Sequence, residues 1–354
     1  MTTTRGKQLG ELLERFKAVV EGGKVPRPEG QFTTYAITNF RGGIGKSTLA
    51  FNLAWAVSRV HRSLLLDVCP QCNFSQSLLG DDLSEHSMTI YDALLPHVMP
   101  GSQEIEPDDL LASVVPSCGS FKGGAGVYLV PGSKELFLFP SLLYTQLGAA
   151  AQLGPRSKQT TRNILQAVRQ IAEILQTHLR ADRVLVDTSP FFGGATHLAW
   201  VAADALIIPV RVDQHSMEAL KLTLSMLREP SMDFLRLNKQ AEIDRVPKVH
   251  AIVMTHCGWN RQAAFTPDRS TQAYLSQVLE ITSNYSDLFS CDNPLDAIHV
   301  LDDFHSAGRI SGSRRVPLAK LSVGESYTIE GQRLEVNMSL TRYQNELKSL
   351  AATI

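Results

Sequence analysis

The chain has no apolar run approaching the roughly 20 residues needed to span a bilayer. It is poor in cysteine, with five in 354 residues, at positions 69, 72, 118, 257 and 291. An odd number so thinly spread forms no disulfide framework and suits a reducing compartment. Neither sign of charge dominates, since 34 Lys and Arg against 35 Asp and Glu leave a net charge of −1. That excludes a global pull toward nucleic acid or anionic membrane, so any such contact has to come from a local patch. The first residues lack the apolar core of a signal peptide, and the expectation is a soluble protein of the cytoplasm. What is present is enough apolar residue, 44% of the chain, to bury the core of one large domain or two.

Residues 5–21 carry Leu9, Leu12, Leu13, Phe16, Val19 and Val20 on one helical face, with Glu11 four residues before Arg15. Gly22 and Gly23 end that helix, and Pro26 and Pro28 keep the next stretch extended. The result is a short arm, 1–29, that packs either on its own domain or on a partner. Beyond it, apolar runs alternate with helical patterns. Strands are expected at Thr33–Thr38, Ser63–Asp67, Val127–Pro131, Arg183–Asp187, Ala205–Val210 and His250–Thr255. Helices are expected at Lys46–Val60, Thr160–His178, Ser216–Leu227 and Thr271–Leu279. Apolar strands separated by helices predict an α/β fold, a doubly wound and mainly parallel sheet covered on both faces. Stretches 97–125, 229–248 and 257–270 read as excursions, and Tyr327–Val336 alternates around Gly331 like a small hairpin. A last helix has Leu340, Tyr343, Leu347 and Leu350 on one face.

The most informative segment runs Asn39-Phe-Arg-Gly-Gly-Ile-Gly-Lys-Ser-Thr48, between a strand and a helix. Gly42, Gly43 and Gly45 let the backbone turn tightly and aim N–H groups at an anion, and the helix that follows points its positive end at the same place. Lys46 supplies a cation for the β and γ phosphates, and the Ser47 hydroxyl is a magnesium ligand. The usual phosphate-loop pattern has glycine at position 40, where this chain has Phe40. The glycines are instead compressed toward the lysine.

In that form Arg41–Thr48 resembles the deviant Walker A motif of the ParA/MinD ATPases, usually Lys-Gly-Gly-Val-Gly-Lys-Thr-Thr. Leu64-Leu-Leu-Asp-Val-Cys-Pro-Gln-Cys-Asn73 is similar to the family's second strand and switch, and Val184-Leu-Val-Asp-Thr-Ser-Pro190 to its Walker B strand. Thr89–Leu94, Leu129–Ser133 and Ala203–Val210 match further landmarks, so the resemblance covers 33–230 well, thins to 310 and is poor for 312–339.

The resemblance implies a P-loop ATPase that binds ATP through Arg41, Gly42, Gly43, Ile44, Gly45, Lys46, Ser47 and Thr48. Magnesium would be held by Ser47, with Asp67 and Asp187 acting through water, and Asp67 would also hold the Ser47 hydroxyl. Arg41, Lys46 and Asp67 would be the catalytic groups. Arg41 stands where relatives carry the lysine that reaches a dimer partner's ATP, and its planar fork suits phosphate oxygens. Adenine contacts are expected from Pro209–Asp213, Thr255 and the segment around 298–308. Two departures qualify this set. Cys69 replaces the second switch carboxylate, so binding should persist while turnover is weak. Cys69-Pro-Gln-Cys72 is also half of a zinc or iron–sulfur spacing, although no second such pair is visible.

The implied protein is one ATPase domain over 30–354 with a divergent insertion near 312–339. It would be an ATP-dependent homodimer that positions or segregates DNA or another large cargo, stimulated by a ParB-like or other partner. It would work in the cytoplasm, on the nucleoid where DNA is the cargo. Arg309, Arg314, Arg315 and Lys320, with Arg236, Lys239, Arg245 and Lys248, are candidate DNA contacts or ordinary solvated charge. The competing readings are a hydrolysis-poor ATP switch or scaffold in a multiprotein complex, and an iron–sulfur or metal carrier.

Overall fold

A computed structural model describes residues 2–354, apart from 27, 29–31, 100 and 260–265. The excluded positions fall in the linker ahead of residue 32 and in the excursions expected at 97–125 and 257–270, so those parts of the expectation lie outside the described residues.

Eight strands form the main sheet: β1 (Thr34–Ile37), β2 (Ser63–Asp67), β3 (Ala112–Ser113), β4 (Val127–Val130), β5 (Arg183–Asp187), β6 (Ala205–Arg211), β7 (Lys248–Cys257) and β8 (Ile298–Asp302). Their order is β3-β4-β2-β5-β1-β6-β7-β8, parallel throughout except for the short β3 at one edge. The central strands β1, β2 and β5 are buried along their whole length, as continuous apolar runs require when helices cover both faces. Strand alternation divides the core in two. Ala36, Leu64, Leu66, Val184 and Val186 face one layer, and Tyr35, Ile37, Leu65 and Leu185 the other.

The six expected strands are all present, and β7 extends beyond its predicted ends. The helix expected over Thr160–His178 is two helices, Ser157–Leu165 and Ala167–Leu179, meeting at Gln166. The first rests on helix Phe139–Ala151 and the second on helix Ala195–Ala202, so the chain bends to serve two neighbours. The arm helix α1 (Thr2–Val20) buries Leu12, Phe16 and Val20 against helices Arg269–Asn284 and Leu340–Ala351. Arg15 pairs with Asp296, and Asn345 Nδ2 donates to Val20 O at 2.9 Å. The hairpin β9 (Ser326–Ile329) and β10 (Gln332–Glu335) turns through Glu330 and Gly331, whose φ angles of 49° and 78° define a tight two-residue connection.

Candidate functional site

The carboxyl ends of three adjacent strands set the site. Asp187 at the end of β5 is in register with Ile37 on β1 and with Asp67 on β2. Neighbouring strands lie about 4.8 Å apart, so the two aspartates stand side by side at the sheet's end. Both are fully buried.

From β1 the chain is anchored before it turns. Thr38 Oγ1 accepts from Trp200 Nε1 at 2.9 Å, and Asn39 Nδ2 donates to Pro209 O at 2.7 Å. Phe40, in place of the usual glycine, stacks on Trp200 with ring centroids 5.5 Å apart and so points away from the loop's mouth. Gly43 and Gly45 have φ of 69° and 86°, which a side chain would strain, and a Cβ at Gly42, Gly43 or Gly45 would meet nothing within 4 Å. The space before the loop is therefore open, and helix α2 (Lys46–Ser58) starts directly behind it. Ile44 is buried, and its carbonyl accepts from Thr255 Oγ1 at 3.2 Å.

Lys46 folds back across this loop and donates from Nζ to Arg41 O at 2.7 Å. Burial holds its ammonium below the ordinary lysine range, opposed by the nearby Asp187. The Ser47 hydroxyl donates to Asp187 Oδ2 at 2.7 Å. That corrects the expectation that Asp67 holds the hydroxyl, because the oxygens of Asp67 are engaged on the other side. Cys69 N donates to Asp67 Oδ1 at 3.1 Å, while Ser75 N and Ser75 Oγ donate to Oδ2 at 2.9 and 2.7 Å. Asp187 Oδ1, by contrast, is buried with no hydrogen-bond partner among the described residues. Burial pushes both carboxyls up, and the proximity of Asp67 pushes Asp187 further. A serine hydroxyl beside an orphaned carboxylate oxygen is the hard-oxygen donor set that suits magnesium. Ser47 and Asp187 would hold the ion, and its positive charge would offset the cost of the buried carboxylates.

Cys69 is only 3% exposed, and burial pushes its thiol up to about 12, so it is a neutral thiol and no activated thiolate. Cys72 opens helix α3 (Asn73–Leu79) in the left-handed region, φ 53°, with its thiol 3.7 Å from Pro70 O. Among the described residues no group of three or more His, Cys, Asp or Glu is arranged to hold a metal ion. Arg41 is half-buried and pairs in its own chain with Asp213 at 2.7 Å, the residue that caps helix Gln214–Arg228. Thr48 is exposed.

Beside the loop opens a pocket of about 270 Å³, bounded by Ile44 and Thr48 on one side and by Thr255, Asp303, Phe304 and Gly308 on the other. Of the segments expected to contact adenine, Thr255 and residues 301–305 and 308 line this pocket, whereas Pro209–Asp213 does not. Of the basic candidates, Arg309 is exposed at the pocket's rim and Arg314 is exposed with a bond to Thr328 O at 2.9 Å. Arg315 differs: it is half-buried, with its guanidinium laid against Gly80. Arg236 and Arg245 are paired with Asp233 and Asp204, and Lys248 bonds Asp287 O. Sequence reasoning missed Ser75 and Gly132 as partners of Asp67. The only signal was that Gly132 lies in a recognised landmark.

A doubly wound parallel sheet whose first strand runs into this loop, with lysine, serine and two aspartates gathered beneath it, is the fold of the P-loop nucleotide triphosphatases. A family model described as an AAA domain matches residues 32–240. The chain is 26% identical over 196 residues to the sporulation initiation inhibitor protein Soj of Bacillus subtilis, a match covering 54% of this chain and 64% of that protein. It is 29% identical over 185 residues to the chromosome partitioning protein ParA of Myxococcus xanthus, covering 52% and 54%. The chain therefore spans less than two thirds of the length of these relatives. Two solved structures share the fold at 16% identity. The ATP complex of a Cyanothece McdA variant has a TM-score of 0.60 over 92% of this chain and 98% of that one. A putative plasmid partition protein of Borrelia burgdorferi bound to AMPPNP has a TM-score of 0.50 over 92% and 100%. The chain belongs to the ParA/MinD-type family of P-loop ATPases.

Proposed function

We propose that this chain is an ATP-gated dimerising ATPase that positions or segregates DNA or another large cargo. The observation that carries the reading is the open glycine loop with Lys46 drawn across it and Ser47 held on Asp187, whose second oxygen has no partner among the described residues. The β and γ phosphates would replace Arg41 O as the partner of Lys46. Magnesium, when bound, supplies charge neutralisation for the phosphates at Ser47 and Asp187. Arg41, released from Asp213, would reach the nucleotide of a second copy and tie the dimer to ATP. The closed dimer would bind DNA without sequence preference, with Arg309 and Arg314 on its surface, and a partner protein would trigger release by stimulating hydrolysis. Its place would be the cytoplasm, on the nucleoid where DNA is the cargo. No helix among the described residues is long and apolar enough to cross a membrane. The buried Cys69 thiol favours a second reading for the turnover step, a hydrolysis-poor ATP switch within a larger assembly.

Light scattering with ATP, ADP and no nucleotide tests this reading. Molar mass should double with ATP and magnesium alone, and the ATP form should bind duplex DNA with affinity falling steeply between 50 and 200 mM salt, by about 10³-fold for six or more phosphate contacts. A protein that binds ATP yet keeps one mass in all three states is not a nucleotide-gated dimer. A dimer that ignores DNA at low salt moves the function to the switch reading.

Proton linkage gives a second check. In the free protein Asp187 is raised far above the carboxylate range, so it carries a proton at neutral pH. A cation favours the ionised form, so magnesium–nucleotide binding should release a proton near pH 7 and tighten as pH rises. The release should fade in alkaline buffer, where the carboxyl is already ionised. Calorimetry at pH 7 in two buffers of different ionisation enthalpy measures it. Equal heats in both buffers would show that no proton moves.

A further inference from the structure

The two aspartates at the sheet's end are equivalent by position and unequal by partner. Asp67 and Asp187 are register neighbours, both fully buried. Yet Asp67 has both oxygens engaged, by Cys69 and by Ser75 of α3, while Asp187 has Oδ2 on Ser47 and Oδ1 with no hydrogen-bond partner among the described residues. Backbone N–H groups of Cys69 and Ser75 take one Asp67 oxygen each, and one side chain strengthens that hold. Ser75, itself fully buried in the first turn of α3, gives Asp67 Oδ2 two donors, its backbone N–H and its hydroxyl. The hydroxyl's own acceptor site is filled by Gly132 N at 2.9 Å, which fixes the direction of its proton toward Asp67. Gly132 then closes the remaining space, since a Cβ there would lie 2.9 Å from Asp67 Cγ and 3.0 Å from Oδ2. No larger residue fits without moving the carboxylate.

We propose that Ser75, oriented by Gly132, is a positioning residue that binds Asp67 to helix α3 and so leaves Asp187 as the carboxylate facing the cation. This rests on the ATPase reading above and adds to it a division of labour between two carboxylates. Without the hydroxyl, each Asp67 oxygen keeps a single backbone donor, from Cys69 N and from Ser75 N, so the carboxylate is free to turn toward Asp187 and two carboxylates compete for Ser47 and the ion. The ion is then held more tightly and in the wrong place, and the switch segment Cys69–Asn73 loses one link to α3.

The predicted signature is a split that simple loss of structure does not produce. Ser75→Val keeps the bulk and removes the hydroxyl. The magnesium chloride concentration that half-saturates binding of a fluorescent ATP analogue should fall about fivefold, and turnover should fall about tenfold, the scale of one lost bond to a charged group. Ser75→Thr, which keeps the hydroxyl, should restore both to within about twofold. Gly132→Ala is the independent route, because its methyl displaces Asp67 from below, and it should shift the magnesium requirement in the same direction. It also serves if Ser75→Val fails to fold. An unchanged magnesium requirement overturns the inference, as does a requirement that rises while turnover falls. Natural protein that binds no ATP analogue at any magnesium concentration would sink the ATPase reading itself, and this inference with it.

Discussion

Replacing Lys46 by alanine should abolish nucleotide binding while the chain stays folded. Lys46 is 8% exposed at the mouth of the loop, with its ammonium close to the buried Asp187 and bonded to Arg41 O. Each charge-assisted bond it makes to a phosphate oxygen is worth about 1.5–3 kcal/mol, and it is placed to make more than one. Losing them predicts a drop in affinity of about 10²-fold or more, beyond detection for a fluorescent ATP analogue at micromolar concentration. The fold should survive, because the loop's turns are made by Gly43 and Gly45 and its anchors are Thr38, Asn39 and Phe40. Asp187, already raised above the carboxylate range, would simply hold its proton more firmly without the nearby ammonium, which leaves the sheet intact. Lys46→Arg should fail nearly as badly, since a planar fork does not fit where a point charge crosses the loop. Affinity for ATP within threefold of the natural protein in Lys46→Ala would remove the loop from the binding site.

How much of this was legible beforehand divides along physical lines. The phosphate loop was readable because its chemistry is local: glycines, a lysine and a serine within eight residues, bounded by a strand and a helix. The central strands were readable because burial on both faces leaves unbroken apolar runs, as in Leu64–Leu66 and Val184–Val186. Strand β8 was not, because His299 and Asp302 interrupt it, and its place at an edge needs fewer apolar residues. The bend at Gln166 was hidden because it carries neither proline nor glycine and exists only to serve two neighbours. Partner choice at the site was hidden as well. Asp67 and Asp187 both end apolar strands, and which of them takes Ser47 depends on what α3 and Gly132 do to the other. Arg315 looked like surface charge, and its burial is decided by Gly80, far away in the chain.

Cys69→Asp should raise steady-state phosphate release from a low natural rate by at least an order of magnitude. Relatives pair two carboxylates in this switch, and here the positions hold Asp67 and Cys69. The thiol is buried, and burial pushes it up to about 12, with Asp67 and Asp187 opposing its ionisation further. A neutral thiol accepts hydrogen bonds weakly and cannot orient an attacking water as a carboxylate does. Losing one such group commonly costs about 10²–10⁴-fold in rate, which sets the size of the gain available. Nucleotide binding should change little, since Lys46, Ser47 and Asp187 are untouched. The gain carries a cost that the structure makes specific. A third carboxylate beside two buried ones is unfavourable in the free protein, so Cys69→Asp should unfold at lower temperature without ligand, by about 1–3 kcal/mol of stability. Magnesium with ATP should recover that loss, because the cation supplies the missing charge. Cys69→Asn, similar in size but uncharged, should leave turnover low. Brisk hydrolysis by the natural protein, with an unchanged rate in Cys69→Asp, would mean that water is positioned elsewhere and that the thiol is no bystander of a lost carboxylate.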